Sequence, residues 1–128
     1  MKPNKIVNLF AEMAGYEYEQ IYRSYIEAVS AQDFDRMNEF IADKAIFNGI
    51  LMTPKAVGEQ LASFTRRCEQ GLHFEILDLV VDANKGNLAA RLAVSGKPTQ
   101  EFFGYAPTGR TMKFKEVNVS HISTTALY

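Results

Sequence analysis

Between residues 17 and 29 the apolar positions return at helical spacing. Tyr18, Ile21, Tyr22, Tyr25, Ile26 and Val29 fall at i, i+3, i+4, i+7, i+8 and i+11, with Glu17, Glu19, Gln20, Arg23 and Glu27 between them. This pattern predicts an amphipathic helix. Its three tyrosines line either a cavity or the edge of an ordinary core, since a buried phenol needs a partner for its hydroxyl. A shorter leading helix is predicted over residues 3–14, with Gly15 as a weak point. Ser30-Ala31-Gln32-Asp33 breaks the period, and Asp33 is a capping candidate for a short helix carrying Phe34, Met37, Phe40 and Ile41. Residues 45–50 read as one short strand. Thr53 followed by Pro54 then opens a further helix with Val57, Leu61, Phe64 and Cys68 on one stripe, ended by Gly71.

From residue 72 onward the period changes from helical to alternating. Residues 72–81 and 88–95 predict a hairpin about Asn84-Lys85-Gly86-Asn87. Gly96-Lys97-Pro98-Thr99 is the next loop, and Phe102-Phe103-Gly104-Tyr105-Ala106-Pro107-Thr108-Gly109-Arg110 is a turn feeding a long strand over residues 110–122. That strand appears in two phases. Met112 and Phe114 set one, and Val117, Val119 and His121 continue in the other. A β-bulge near Lys115 and Glu116 would bring all five to the apolar face and turn His121 inward. Helices first and an antiparallel meander after them predict an α+β fold, with the N-terminal helices packed on one face of a curved sheet. Tyr18, Ile21, Tyr25, Phe64, Phe74, Leu92, Phe114 and Val119 are the expected core.

Composition narrows the class. The chain has 128 residues, 47% hydrophobic and 23% charged, which suits one soluble domain over residues 1–128. A net charge of −1 with scattered Lys and Arg offers no basic stripe for nucleic acid. No apolar run approaches the roughly 18 residues of a membrane span, the first ten residues lack a signal-peptide core, and a single Cys68 suits a reducing compartment. A cytoplasmic location is expected.

The candidate chemistry is sparse. His121 is either a hydrogen-bonded structural residue or a general base, since imidazole titrates near neutral pH. Arg91 either lies solvated on the outer sheet face or points inward, where it would bind an anionic or carbonyl group. Cys68 reads as a small buried hydrophobe. His73 and Glu75 alternate with apolar neighbours and make no metal signature. Phosphate loops, dinucleotide fingerprints and zinc motifs are absent from the sequence, so no cofactor and no metal are expected.

The order of elements, Ala31-Gln32-Asp33 between the first two helices, and Gly104-Tyr105-Ala106-Pro107-Thr108-Gly109-Arg110 together resemble the SnoaL-like polyketide cyclases over roughly residues 17–122. These belong to the nuclear-transport-factor-2-like superfamily of cone-shaped α+β barrels. The resemblance implies an apolar pocket between helices and sheet, and a homodimer through the sheet's outer face. Fold alone does not assign a reaction.

Three chemistries of the superfamily each lack a carboxylate here. The cyclases join a His on the long strand, matched by His121, to an Asp on the strand after it, and the residues following Ser123 supply neither the usual Asp-Gly turn nor that Asp. The epoxide-hydrolase pattern needs a carboxylate two residues beyond a pocket Arg; Arg91 is followed there by Ala93. The ketosteroid-isomerase base position matches Asn48. The expectation is a pocket for a small, apolar, carbonyl-bearing molecule, lined by Tyr25, Phe47, Asn48, Phe64, Arg91 and Met112. His121 is the expected catalytic residue of a cyclase-like or isomerase-like reaction. The alternative is a non-catalytic ligand-binding or dimeric assembly module of the same fold.

Overall fold

The computed structural model describes residues 5–47, 49–102, 104–123 and 126–127, the side chains of 5–12, 122, 123, 126 and 127 excepted. Asn48 therefore lies outside the described residues. The first helix, α1, runs unbroken over Lys5–Ser30. Two helices meeting at Gly15 were expected from the sequence. Instead the glycine sits inside α1, and a Cβ there would meet Ala83 Cβ at 3.8 Å, in ordinary contact. The helix passes close over the hairpin at that point.

The end of α1 is built by hydrogen bonds that the sequence does not advertise. Asp33 N donates to Ala28 O at 2.9 Å and Gln32 N to Val29 O at 3.1 Å. With Gln32 at φ 62°, this is the Schellman arrangement, occupied by glutamine where glycine is usual. Ser30 Oγ donates to Phe74 O at 3.2 Å and accepts from Phe74 N at 3.1 Å, tying the helix end to the sheet. A short 3₁₀ helix of two turns follows over Phe34–Glu39. Asp33 stands at its cap position but makes no side-chain cap bond; its carboxylate lies 3.6 Å from Arg36 instead.

The single strand expected over residues 45–50 is a hairpin. Strand β1, Ala45–Phe47, pairs with β2, Ile50–Met52, and Gly49 at φ 81° supplies the reversal. Helix α2, Pro54–Thr65, starts as read: Thr53 accepts from Ala56 N at 3.2 Å, with Pro54 in the first turn. It stops earlier than expected. Cys68 begins β3, Cys68–Asp82, and stays buried in a strand rather than on a helix. Burial raises its thiol pKa, so it remains a protonated hydrophobe.

Strand β4 covers Asn87–Pro98, β5 Met112–Ser123 and β6 Ala126–Leu127, and the sheet order is the meander β3-β4-β5-β6. The irregularities lie on β3, where the register against β4 shifts between Glu69 and His73 and again between Ile76 and Asp78. The bulge expected on β5 is absent. Its pairing with β4 is unbroken from Gly96 opposite Met112 to Asn87 opposite His121. Strict alternation therefore holds along β5, and Val117, Val119 and His121 emerge on the outer face. Val119 was an expected core residue and is 76% exposed. The helices cover the other face, where Tyr22, Ile26, Val29, Val57, Leu72, Leu88, Leu92 and Val94 form the buried core. Tyr18, Ile21, Tyr25, Phe64, Phe74 and Phe114 pack against it, partly buried. The result is the expected α+β architecture, helices on an antiparallel sheet that remains open.

Candidate functional site

A cavity of about 320 Å³ lies between α1, α2, the β1–β2 hairpin and the inner sheet face. Its walls are mostly apolar: Ile26, Val29, Val57, Leu61, Leu92 and Val94 among them. At that volume it stands at the lower end of the roughly 300–1,000 Å³ typical of small-molecule pockets.

One side of the cavity is polar. Tyr22 and Tyr25 descend from α1, and Glu116, Asn118 and Ser120 rise from β5. The helix contributes two tyrosines three residues apart, on one face by helical geometry. The strand contributes three alternate residues because its register never shifts. Asn118 Nδ2 donates to Tyr22 Oη at 3.4 Å, which occupies a lone pair and leaves the phenol proton available. Among the described residues no group hydrogen-bonds the Tyr25 hydroxyl. The Tyr25 ring is held between Tyr22, with centroids 6.0 Å apart, and Phe40 at 6.2 Å, edge-on.

The electrostatics of this arc favour protonated phenols. Burial raises the Tyr25 pKa far above its ordinary value, and the charges of Tyr22 and Glu116 raise it further. Burial also raises that of Tyr22, the Asn118 hydrogen bond lowers it in part, and Glu116 raises it. Both tyrosines are therefore donors at neutral pH. Glu116 itself sits opposite Leu92 on the inner face, and among the described residues no Lys, Arg or His pairs with it.

The expected site residues divide. Tyr25, Phe47 and Phe64 line the cavity. Met112 packs against the core without lining it. Arg91 lies on the outer face, its Nε 2.7 Å from Asp78 Oδ2 and its terminal nitrogen 2.6 Å from the same oxygen, with both side chains about half exposed. The reading of Arg91 as a ligand-binding residue is corrected: its position opposite Val117 and Asp78 in the register points it outward. His121 is also outside the cavity. It is exposed on the outer face, with Nδ1 3.2 Å from Asn87 Oδ1 across the strand pair. The inward orientation expected of it depended on the absent bulge.

Glu116, Asn118 and Ser120 went unnoticed in the sequence. The signal that finds them is plain alternation from Phe114, whose apolar ring fixes the inward phase. Metal-binding clusters of His, Cys, Asp and Glu do not occur among the described residues, and no described helix is long and apolar enough to cross a membrane.

Comparisons with known proteins agree with this architecture. A structure of a SnoaL-like polyketide cyclase from Agrobacterium tumefaciens superposes with a TM-score of 0.78 at 26% identity, covering 86% of this chain and 84% of that one. IdmH from Streptomyces antibioticus gives 0.71 at 18% identity, covering 86% of each chain. An epoxide hydrolase from M. tuberculosis gives 0.66 at 11% identity, covering 88% of this chain and 74% of that one, which shows a shared fold alone. No curated protein matches by sequence. The family model for SnoaL-like polyketide cyclase matches residues 19–124. With the helices, meander and cavity described above, that match over most of its length makes this chain a member of the SnoaL-like polyketide cyclase family.

Proposed function

We propose that the chain binds a small, largely apolar, carbonyl-bearing molecule in this cavity and acts next to the carbonyl, as a cyclase-like or isomerase-like enzyme. The observation that carries this reading is the composition of the cavity: mostly apolar walls, a polar arc of two phenols, a carboxylate, an amide and the Ser120 hydroxyl, and Thr65 on α2. Apolar walls hold a hydrocarbon frame, and protonated phenols suit a carbonyl oxygen. Such donors, fixed before the ligand arrives, stabilise charge developing on that oxygen.

The test is calorimetry with 2-tetralone, a two-ring ketone of suitable size. Saturable binding that is lost in Leu61→Trp, which fills the cavity from α2, supports the reading. Equal binding by the variant, or none by either protein, contradicts it.

A second reading concerns the outer sheet face, and a specific observation favours it. Leu77, Val80, Val117 and Val119 are exposed there, around the small Ala89 and Ala93 of β4. Acidic Glu75, Asp78 and Asp82 follow β3, and basic Lys113 and Lys115 follow β5. A two-fold axis parallel to the strands would set the acidic row of one copy over the basic row of the other. This supports a homodimer through that face. Sedimentation is expected to give a dimer mass for the native chain and a monomer for Val119→Asp; a native monomer at high concentration contradicts it.

A further inference from the structure

We propose that Glu116 is the general base of the cavity, removing a proton from the carbon next to a bound carbonyl while the Tyr25 hydroxyl donates a hydrogen bond to the oxygen. This rests on the reading of the cavity as a carbonyl site and names the residues that would act there.

Geometry supplies the first support. Glu116 occupies the inner face of β5 between Phe114 and Asn118, all three lining the cavity together with Tyr22 and Tyr25. Glu116 is half-buried there, and its carboxylate lone pairs can be reached from the cavity. Among the described residues no cation and no hydrogen-bond donor uses them. Glu116 is the glutamate that lines the cavity, where a ligand can reach it.

The tyrosines supply the second. Tyr25 has a hydroxyl free of protein partners among the described residues, and its ring is braced by Tyr22 and Phe40. Tyr22 accepts from Asn118 and keeps its own proton to give. Donor and acceptor share the polar arc of the cavity, the phenols carried by α1 and the carboxylate by β5. A ketone between them would present its oxygen to the helix and its adjacent carbon to the strand.

The step balances within the site. The C–H bond breaks, its proton passes to a Glu116 oxygen, and the electron pair moves into the new C=C bond as the carbonyl oxygen becomes an enolate oxyanion. Tyr25 hydrogen-bonds that oxyanion. The proton on Glu116 then returns, either to a carbon of the enolate or to the alkoxide formed if the enolate carbon attacks a second carbonyl in the same molecule. No oxidant, reductant or cofactor is required.

Deuterium exchange tests this. 2-Tetralone in D₂O loses its protons next to the carbonyl, and proton NMR follows the loss directly. The native chain is expected to accelerate exchange above the buffer rate, and Glu116→Gln to lose roughly 10²-fold or more of that acceleration. Glu116→Asp is expected to recover part of it, Tyr25→Phe to lose about tenfold, and His121→Ala to match the native rate. Calorimetry on the same samples separates the two claims. Tetralone bound by the native chain but exchanged at the buffer rate overturns the base assignment and leaves the cavity reading standing. Acceleration that survives in Glu116→Gln also overturns the assignment. Absence of binding overturns the cavity reading, and the assignment falls with it.

Discussion

The two faces of strand β5 invert the usual association of apolar with inside. Its outer face carries Val117 and Val119, 68% and 76% exposed, while its inner face carries Glu116, Asn118 and Ser120. An ordinary half-buried strand shows the reverse. The difference teaches that this sheet is not built only to close a core. The inner face borders a cavity of about 320 Å³ and carries polar groups along it. The outer face mixes exposed Val80, Val117 and Val119 with the charged Glu75, Asp78, Lys113 and Lys115.

The sharpest separation of the faces is energetic. Leu92 on the inner face of β4 is fully buried, so Leu92→Ala is expected to lower the stability by about 2–5 kcal/mol. Val119→Ala on the outer face is expected to change the monomer by no more than about 0.5 kcal/mol. Urea denaturation at low protein concentration compares them, and similar losses for both would dissolve the distinction.

Next in size is the junction that sets the inner face under α1. Gly71 lies at φ 80°, and a Cβ there would collide with the Gln32 amide and stand 2.8 Å from Thr65 Cγ2. Gly71→Ala is expected to cost more than about 1 kcal/mol in the same assay. An unchanged midpoint would mean that β3 reaches the helix end differently.

The phenols give a pH signature of the cavity. Their native pKa values are raised by burial and by Glu116, whereas the unfolded chain titrates near the ordinary value of about 10. Above that pH the native state holds protons that the unfolded state has released. Stability is therefore full below about pH 10 and falls as pH rises further. Tyr25→Phe is expected to flatten that decline in urea midpoints measured from pH 9 upward. An equally steep decline in the variant would remove Tyr25 from the explanation.

The smallest effect belongs to the outer ion pair. Arg91 and Asp78 are both about half exposed, so Arg91→Ala is expected to cost at most about 1 kcal/mol and to leave tetralone affinity within twofold. A large loss of affinity would return Arg91 to the cavity.

Much of the architecture was legible in the residues. The tyrosine stripe of α1, the Thr53-Pro54 helix start and the β3–β4 hairpin all carry strong local signals, and each stands where it was read. Two features were not legible. The Schellman end at Gln32 uses a residue with no turn preference, held by Gln32 Nε2 donating to Gln70 O at 3.1 Å across 38 residues. The phase of β5 was misread because Val117 and Val119 were assigned to the core by hydrophobicity. Without a bulge, the unbroken register keeps His121 outside and sets Glu116 on the inner face. Alternation is a geometric rule, and it held along β5; hydrophobicity of a face depends on what that face meets.

The inner and outer faces each hold one asparagine whose side-chain amide can be followed by NMR. Asn118 lines the cavity beside Tyr22, and Asn87 meets His121 on the outer face. Titrating the labelled protein with 2-tetralone is expected to move the Asn118 side-chain resonances progressively and leave those of Asn87 in place. Movement of Asn87 with Asn118 unchanged, or no movement of Asn118 at saturation, would contradict the assignment of the ligand site to the inner face.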